Sequence, residues 1–450
     1  MVKKVIVLGG GAAGFFGAIT CAEKYPHAQV ILLEAGQEVL AKVRISGGGR
    51  CNVTHACFDP ALLVQNYPRG GKALRGAFSR FQPQDTIAWF ASHGVELKTE
   101  ADGRMFPTTD NSATITHCLE QAAIHRGVQI RTKAAALGVL RESEKFIVEL
   151  RMGVKLEGDR LLLATGSNPQ GYKIAQHLGH TLIPPAPSLF TFNITDRRLD
   201  DLAGVSLETV KLRLVITKTS PHPLAPSPTR GEGGQDAEDD ATLAPLSRSG
   251  RGVGGEGSPT DLEQTGALLI THWGISGPAV LKLSAWAARI LHQQKYQAKL
   301  IINWLPTYNP EVLRQQLTAI KSQLPQRQIT TSCPFPVPKR LWHKLVNFIG
   351  IHDSQKWAEL SKKSLNQLVQ ELTQGEYLIK GKGVFKEEFV TCGGVKLSEV
   401  NFQTMESKQC PGLYLAGEVL DIDGVTGGFN FQSAWTTGYL AGMGMGVSIS

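Results

Sequence analysis

The sequence contains no run of about 18 or more apolar residues, and this absence argues against a membrane-spanning helix. Its basic N-terminal lead is followed by too few apolar residues to form a secretory signal peptide. The seven cysteines are scattered and lack the paired spacing of metal ligands, so we expect no metal site and reduced thiols. Together these absences predict a cytoplasmic protein without a membrane anchor.

The charge of the chain is positive and unevenly distributed. The 450 residues suit two or three globular domains and carry a formal net charge of +8. Residues 219–265 hold three arginines and eight acidic residues, so the rest of the chain carries +13. Such an excess raises the expectation of a polyanionic partner, although many unrelated enzymes are also basic.

Residues 219–265 have almost no large apolar side chains and cannot build a core. They contain an imperfect repeat rich in Pro, Gly, Ser and Arg, and they separate two strand-like runs at 209–217 and 266–273. We expect a disordered surface insertion here. The alternative, a nucleic-acid-binding tail, is disfavoured by the negative balance of the segment.

A glycine cluster near the N-terminus has the spacing of a dinucleotide-binding turn. Gly9, Gly11 and Gly14 follow an apolar run, an apolar-faced helix comes next, and a second apolar run ends at Glu34. This order of strand, turn, helix, strand and acid distinguishes the pattern from an ordinary glycine turn. We expect Glu34 to accept ribose hydroxyls and the pyrophosphate to lie on the helix N-terminus, against Gly9, Gly11, Ala12, Ala13 and Gly14.

The C-terminal region favours FAD over NAD as the dinucleotide. An apolar strand there ends at Gly417-Glu418, and the pair Gly427-Gly428 opens a helix over about 430–443. In flavoproteins an acid at such a position holds the ribityl chain, and the next helix points its N-terminus at the flavin pyrimidine. Further contacts are expected from Phe429, Asn430 and Gln432.

A third element supports the same cofactor. The stretch "RLLLATGSNP" at 160–169 is a strand followed by a turn at Thr165 and Gly166, as is usual in flavoproteins that bind two dinucleotides. Three separated elements therefore agree on FAD. No second G-x-G-x-x-G occurs, so NAD(P)H is expected to bind transiently, without a fold of its own.

A second glycine run, "RISGGGRCNVTH" at 44–55, suits neither a helix interior nor a strand. We expect a loop along the FAD diphosphate and ribityl chain, whose glycine backbone presents amides to the cofactor. Arg50 would add a cation to the phosphates, and Asn52 would bond the ribityl chain or the flavin edge. Lys42 and Arg44 are either further phosphate partners or solvated surface residues. The predicted contacts of this loop are Lys42, Ser46, Gly47, Gly48, Gly49, Arg50 and Asn52.

Several long motifs make a resemblance specific. The segments "SGGGRCNVTH", "FPTTDNSATI", "ITHWGISGPAVL", "TCGGVKLSEVNFQTMESK" and "GLYLAGEVLDIDGVTGGFNFQSAWTTG" resemble the HI0933-like flavoproteins, the BaiN/RdsA family of NAD(P)/FAD-dependent oxidoreductases. The resemblance spans nearly the whole chain except 219–265. Where the family has Ala-Thr-Gly-Gly, this chain has Ala164, Thr165, Gly166 and Ser167, a change that should not prevent FAD binding.

The resemblance implies an α/β fold with a discontinuous Rossmann-type FAD-binding domain. That domain is interrupted by a small β-barrel domain, which itself carries a helical insert. The expected boundaries are 1–187 and 389–450 for the two parts of the FAD-binding domain, 188–307 for the barrel, 308–375 for the helical insert and 376–388 for the return of the barrel.

The resemblance implies the class of chemistry more closely than the substrate. Family members reduce an enone-type double bond in steroids, oxidise aminoacetone, or reduce uridine to dihydrouridine in large-subunit ribosomal RNA. The positive charge outside 219–265 favours ribosomal RNA as the partner. The alternatives are a small-molecule reductase or oxidase that does not bind RNA, and a binding or assembly protein that uses FAD structurally.

Residues 334–348 contain Lys339, Arg340, His343 and Lys344 beside Trp342. This stretch is either part of an RNA-binding face or an amphipathic helix with Trp342 in the core, and the second interpretation is preferred.

Two residues are candidates for the proton donor of such a reduction. Cys51 lies in the flavin loop, and a thiol can protonate an enolate-like carbon; alternatively it packs as a small apolar residue. His272, near Ser276 in "THWGISGP", ends an apolar strand where a substrate-facing edge is expected; alternatively it holds a loop by bonding backbone.

Overall fold

The computed structural model describes residues 4–216, 262–383 and 390–446. Its strands are β1 (Lys4–Leu8), β2 (Gln29–Leu33), β3 (Thr54–His55), β4 (Leu97–Thr99), β5 (Arg104–Pro107), β6 (Gln129–Arg131), β7 (Ala136–Glu142), β8 (Lys145–Leu150), β9 (Lys155–Gly158), β10 (Arg160–Leu163), β11 (Leu182–Ser188), β12 (Phe192–Asn193), β13 (Ser206–Val215), β14 (Leu262–Thr271), β15 (Gly274–Ser276), β16 (Ala298–Asn303), β17 (Gly375–Ile379), β18 (Gly381–Lys382), β19 (Val390–Val395), β20 (Val400–Asn401), β21 (Glu406–Ser407) and β22 (Leu413–Leu415).

The helices are α1 (Ala12–Lys24), α2 (Ala41–Gly49), α3 (Pro60–Leu63), α4 (Gly71–Phe78), α5 (Pro83–Ser92), α6 (Ser112–His125), α7 (Pro169–His177), α8 (Pro278–Gln293), α9 (Pro310–Gln323), α10 (Lys339–Phe348), α11 (Lys362–Gln374) and α12 (Phe429–Gly444). Among the described residues no helix is long and apolar enough to cross a bilayer. That part of the chain also holds no cluster of His, Cys, Asp or Glu able to bind a metal ion.

The first sheet has the strand order β20-β21-β22-β10-β1-β2-β6. Its five strands from β22 to β6 are parallel, and β20 and β21 add antiparallel pairs at one edge. The central strands β1 and β10 are buried almost throughout, which explains their continuous apolar runs. Because its strands come from both ends of the chain, this α/β unit is discontinuous in sequence.

Helices α1 and α12 pack in parallel against each other. A Cβ added to Gly438 would lie 2.6 Å from the carbonyl oxygen of Ala13, and one added to Gly442 would lie 2.7 Å from that of Gly17. The register therefore advances four residues on each helix together. Since α12 begins nine residues before Gly438 and α1 begins one residue before Ala13, the N-terminus of α12 extends roughly 12 Å past that of α1.

The second sheet has the order β17-β16-β13-β14-β15-β12-β18. It shares a separate hydrophobic core with α8 to α11, formed by residues between Phe190 and Ile379. The end strands β17 and β18 do not pair with each other in the described residues, so closure into a barrel, the helical insert and the domain boundaries stay predictions. The chain enters this region through β11 and leaves it through β19, and these two strands pair antiparallel.

One predicted boundary is wrong. The strand β14 begins at Leu262, and residues 262–265 pair with 211–214 of β13, so they are not part of the insertion expected at 219–265. Leu262 is buried in the second core, and Glu263 forms an ion pair with Lys211 at 2.6 Å. The rest of that insertion, together with residues 384–388 of the predicted barrel return, lies outside the described residues.

Candidate functional site

The turn between β1 and α1 has the geometry that its glycine spacing predicts. Gly9 has φ +110°, and a Cβ there would lie 2.3 Å from the carbonyl oxygen of Ala164. A Cβ on Gly14 would lie 1.9 Å from the carbonyl oxygen of Gly9, whereas one on Gly11 would meet nothing within 4 Å. Gly11 caps α1 without a side-chain hydrogen bond. The space beside the N-terminus of α1 is thus open at Gly11, as an anion-binding helix N-terminus requires.

Glu34 follows β2 at the same sheet edge. Its carboxylate accepts hydrogen bonds from the N–H of Gly10 at 2.8 Å and of Gly36 at 2.7 Å. The carboxylate is therefore held beside the glycine turn, where a ribose is expected. A solvent-open pocket lies next to it, lined by Gln37, Glu38, Val39, Arg44, Glu120, Ile124, Ile130 and Thr132. Arg44 faces Glu120 across this pocket at 3.9 Å.

The second glycine run is partly helical, which differs from the expected loop. Helix α2 includes residues 41–49, but Ser46 is extended and Gly47 and Gly48 are left-handed, with φ +58° and +69°. Gly49 continues at φ +85°. Added Cβ atoms on Gly48 and Gly49 would meet nothing within 4 Å. Leu40 donates its N–H to the carbonyl of Gly10 at 2.7 Å, so this exposed backbone is tied to the first glycine turn.

Three segments that are distant in sequence meet at Glu418. Its Oε2 accepts a hydrogen bond from Lys42 Nζ at 2.6 Å, and its Oε1 accepts one from the N–H of Thr391 at 2.9 Å. Lys42 Nζ also lies 3.4 Å from Ser167 Oγ, and a Cβ added to Gly166 would lie 3.6 Å from Glu418 Oε2. The structure therefore brings Lys42, Gly166 and Glu418 together.

The buried hydroxyl of Thr165 has no hydrogen-bond partner in the described part of the chain. A Cβ added to Gly171 of α7 would lie 1.8 Å from this oxygen, so the hydroxyl faces α7 rather than open space. The open space beside the N-terminus of α1 and the exposed backbone of residues 48–49 together form a cradle that fits a dinucleotide. The offset between the N-termini of α1 and α12 suits an extended cofactor, with its pyrophosphate at one helix and its ring at the other.

Two polar residues of the second glycine run bind the protein itself, and this corrects their expected roles. Arg50 pairs with Glu100 at 2.6 Å and with Asp110 at 3.5 Å, and its guanidinium lies 4.0 Å from the centre of the Phe106 ring. With its amide assigned in the orientation that satisfies both groups, Asn52 donates to the carbonyl of Thr54 and accepts from the N–H of Gly428, each at 3.0 Å. Both residues fix the loop rather than present a free group to a phosphate or to the ribityl chain.

The start of α12 also differs from expectation in its side chains. Gly427 and Gly428 have φ +132° and +91°, and the helix begins at Phe429. Asn430 bonds both backbone groups of Gly424, at 2.8 and 2.9 Å. The Asn430 side chain is therefore engaged by the protein, which leaves the backbone of this turn as the part available to a bound group.

Gln432, predicted to contact the cofactor, is fully buried. It accepts from the hydroxyls of Thr54 and Thr86 at 2.6 and 3.0 Å, and it donates to Thr436 at 3.1 Å. All of these partners belong to the core, because one turn into α12 the side chain points into the packed face of the helix. Gln432 is thus a structural residue.

The two predicted proton donors lie in different environments, and only Cys51 lacks the access that a donor needs. Cys51 is fully buried, and burial raises the pKa of its thiol to about 12. A thiol without access to solvent cannot reach a substrate, so its assignment as the acid is corrected. His272 is exposed at the turn between β14 and β15 and makes no hydrogen bond or ion pair in the described chain. Ser276 is half-buried in β15.

The stretch at 334–348 contains helix α10. This agrees with the preferred interpretation, an amphipathic helix with Trp342 in the core. Trp342 is fully buried and donates its indole N–H to the carbonyl of Ile329 at 2.8 Å. His343 lies 2.9 Å from Asp353, and Lys344 lies 3.6 Å from Asp201. Because acidic neighbours already offset these cations, the helix is a weaker phosphate-binding face than its sequence indicates.

Sequence reasoning missed a junction between the two sheets. Arg69 binds Asp423 through both carboxylate oxygens and donates to the carbonyl of Ala285 at 2.7 Å. Arg289 contacts both oxygens of Asp421 at 2.6 Å. The partners are 354 and 132 residues apart in sequence, so no local pattern signals them.

His55 was also missed, although it ends the quoted glycine motif. Its Nδ1 lies 3.0 Å from the carbonyl oxygen of Gly427, and its ring packs on Phe429 with centroids 4.6 Å apart. It therefore lies at the N-terminus of α12, where the ring of a bound dinucleotide is expected.

Comparison with known proteins agrees with this geometry. A family model described as the HI0933-like protein Rossmann domain matches residues 3–444. The 3-dehydro-bile acid delta(4,6)-reductase of Clostridium scindens is 29% identical over 98% of both chains. The ribosomal RNA dihydrouridine synthases of Escherichia coli and Haemophilus influenzae are 27% and 28% identical, each over 96% of both chains.

Among solved structures, the 3-ketosteroid-delta4-(5alpha)-dehydrogenase of Rhodococcus jostii aligns with a TM-score of 0.47 and 14% identity, over 99% of this chain and 97% of that one. The family match covers nearly all of the sequence and agrees with the observed parallel sheet and glycine turn. The chain belongs to the HI0933-like family of FAD-dependent oxidoreductases.

Proposed function

We propose that the protein takes electrons from NAD(P)H and reduces a conjugated carbon–carbon double bond, with uridine in 23S ribosomal RNA as its substrate. The observation that carries the cofactor part is the backbone-lined cradle, with two parallel helix N-termini offset by roughly 12 Å.

The residues of the cradle fit FAD. The amides of Gly11, Ala12 and Ala13 would bind its pyrophosphate, Glu34 its adenosine ribose, and Glu418 its ribityl chain. When bound, FAD supplies the hydride for the reduction. The protein's part is to orient both partners, to exclude water and to favour charge that develops on the substrate.

RNA is favoured by the +13 charge outside residues 219–265 and by two relatives that are named as ribosomal RNA dihydrouridine synthases. The second candidate is a small-molecule reductase or oxidase without RNA binding. It is supported by the bile acid reductase, which covers as much of the chain, and by the acidic neighbours of the cations on α10.

A first experiment tests the cofactor. The purified protein should be yellow, and Gly11→Val should lose FAD because its side chain would occupy the space of the pyrophosphate. Gly11 has an ordinary φ of −92° and open surroundings, so the variant should keep its melting temperature within a few degrees. A colourless wild-type protein that cannot be reconstituted with FAD would reject the proposal.

A second experiment tests the substrate. Dihydrouridine is mapped in 23S RNA from a deletion strain, with complementation by the wild type and by Gly11→Val. We expect loss of one modified site and rescue by the wild type alone. Purified enzyme with NADH or NADPH should prefer naked or incompletely assembled RNA, because the uridine must leave its stack. Unchanged dihydrouridine in the deletion strain would promote the small-molecule candidate.

A further inference from the structure

Helix α8 of the second sheet region lies antiparallel along the segment that leads from Glu418 to α12. Arg289 binds Asp421, and one turn earlier in α8 the carbonyl of Ala285 accepts from Arg69, which itself binds Asp423. As the residue numbers fall from 289 to 285 along α8, the residues contacted in the segment rise from 421 to 423. The helix and the segment therefore run in opposite directions. The next turn of α8 is thereby directed toward the start of α12.

Lys282 lies on that next turn. Its positive charge is close enough to His55 to help burial lower the pKa of the imidazole. His55 is fixed on the carbonyl of Gly427, so Nδ1 carries the hydrogen and Nε2 is left as an acceptor. From the ordinary histidine pKa of about 6.5, this lowering leaves the ring neutral near pH 7. Lys282 therefore belongs to the second sheet region, but its charge lies near the end of the cradle where the ring of the dinucleotide is expected. The cradle itself belongs to the first sheet region.

The described residues provide no counter-charge for this cation. Lys282 is half-buried, and within the described residues it makes no hydrogen bond and no ion pair. Arg69 and Arg289, its neighbours along the same interface, are both bound to aspartates. A half-buried ammonium without an acidic partner among the described residues is available to a ligand that carries or develops negative charge.

The position of Lys282 is also well fixed. Arg69 and Asp423 are buried, with side-chain exposures of 9% and 0%, and Ser188 donates to Asp423 at 2.7 Å. Arg69, which Asp423 and Ser188 fix in place, therefore holds α8 at Ala285, within about one turn of Lys282. Such fixed donors stabilise charge without the cost of reorganisation.

We propose that Lys282 is a catalytic residue that binds the carbonyl oxygen of the conjugated substrate. The inference rests on the proposed function. The hydride forms a C–H bond at the β carbon, the pair of electrons of the double bond shifts, and the carbonyl oxygen becomes an enolate oxygen. Lys282 stabilises that oxygen with a charge-assisted hydrogen bond. A proton from water then adds to the α carbon, and the carbonyl is restored.

The test compares Lys282→Met and Lys282→Arg with Lys295→Met in the FAD-loaded protein. Lys295 is exposed just past the other end of α8, roughly 20 Å away along the helix axis. Binding of 4-nitrophenolate, an unreactive mimic of an enolate, is measured by difference absorbance. Stopped-flow absorbance follows reduction by NAD(P)H and reoxidation by a conjugated carbonyl compound separately.

We expect Lys282→Met to weaken phenolate binding about tenfold or more and to slow reoxidation by the substrate about 100-fold. Reduction by NAD(P)H and FAD content should stay within twofold, Lys282→Arg should recover part of both losses, and Lys295→Met should match the wild type. Unchanged phenolate affinity in Lys282→Met would overturn the inference. A wild type that reduces no conjugated carbonyl rejects the proposed function instead, and phenolate binding then still decides the role of Lys282.

Discussion

The cofactor cradle and the junction between the sheets depend on different parts of the residues, backbone in the first and charged side chains in the second. In the cradle the contacts come from backbone, at the turn of residues 9–14 and at the left-handed run of residues 47–49. At the junction they come from side chains, in the pairs Arg69–Asp423 and Arg289–Asp421. One region depends on the absence of side chains, and the other depends on their charge.

The difference explains why one region is visible in the sequence. A backbone site requires glycines at fixed local spacing, so residues 9–14 alone are enough to predict it from the sequence. A charged junction requires only that two residues meet after folding, and its pairs are separated by 354 and 132 residues. The two regions should also fail differently when they are mutated.

The largest effect is expected in the cradle. Gly14→Ala places a methyl group 1.9 Å from the carbonyl oxygen of Gly9, so α1 must move away from β1. We expect a loss above about 4 kcal/mol, seen as failure to accumulate folded protein or as a large fall in melting temperature. Gly11→Ala is the matched control, since its Cβ meets nothing within 4 Å. A Gly14→Ala protein that melts with the control would contradict the packing described here.

The junction should be the next most sensitive. Asp423→Ala leaves the guanidinium of Arg69 buried without a counter-charge, which costs about 3–5 kcal/mol. The double variant Arg69→Met/Asp423→Leu removes both charges and should recover most of that loss in a thermal melt. Arg289→Ala, at a pair whose arginine is 36% exposed, should cost about 1 kcal/mol or less. A double variant no more stable than the single one would show that shape, not charge, decides this site.

A smaller effect is expected at the second glycine run. Gly48→Ala has room for its methyl group but must keep φ +69°, which costs about 1 kcal/mol. The melting temperature should fall by a few degrees and FAD should still bind, in contrast to Gly14→Ala. Complete loss of folded protein would mean that the run is packed more tightly than its exposure indicates.

These contrasts show which parts of the cradle can be predicted from the sequence. Gly9, Gly14 and Glu34 were predictable because strand, turn and helix are contiguous, and the same holds for Gly427 and Gly428. Side chains near the cradle were less predictable, since Arg50 and Gln432 find protein partners in elements distant in sequence. A motif can place a residue beside a site, but only the fold decides which way its side chain points.

The smallest effect on stability is expected at Glu399, a titratable residue. Like the junction pairs, it contacts residues that are distant in sequence. Glu399 accepts from His180 and from the N–H of Thr181, each at 2.9 Å, and His180 also contacts Ser407 at 2.9 Å. Burial opposes ionisation of Glu399, but these hydrogen bonds outweigh it and lower the pKa of its carboxyl.

Because that pKa is lower in the folded state, the ionised carboxylate stabilises the protein above the unfolded value of about 4.3. The contribution is lost as pH falls through the lower, folded pKa, since the unfolded chain then binds more protons. The melting temperature of Glu399→Gln should therefore lie below that of the wild type at pH 7, and the gap should close as the pH is lowered toward 3. A difference in melting temperature that stays constant over this range would contradict the role of the charge. It would mean that the glutamine amide does not fit the site, and that the contact, like the cradle, depends on shape alone.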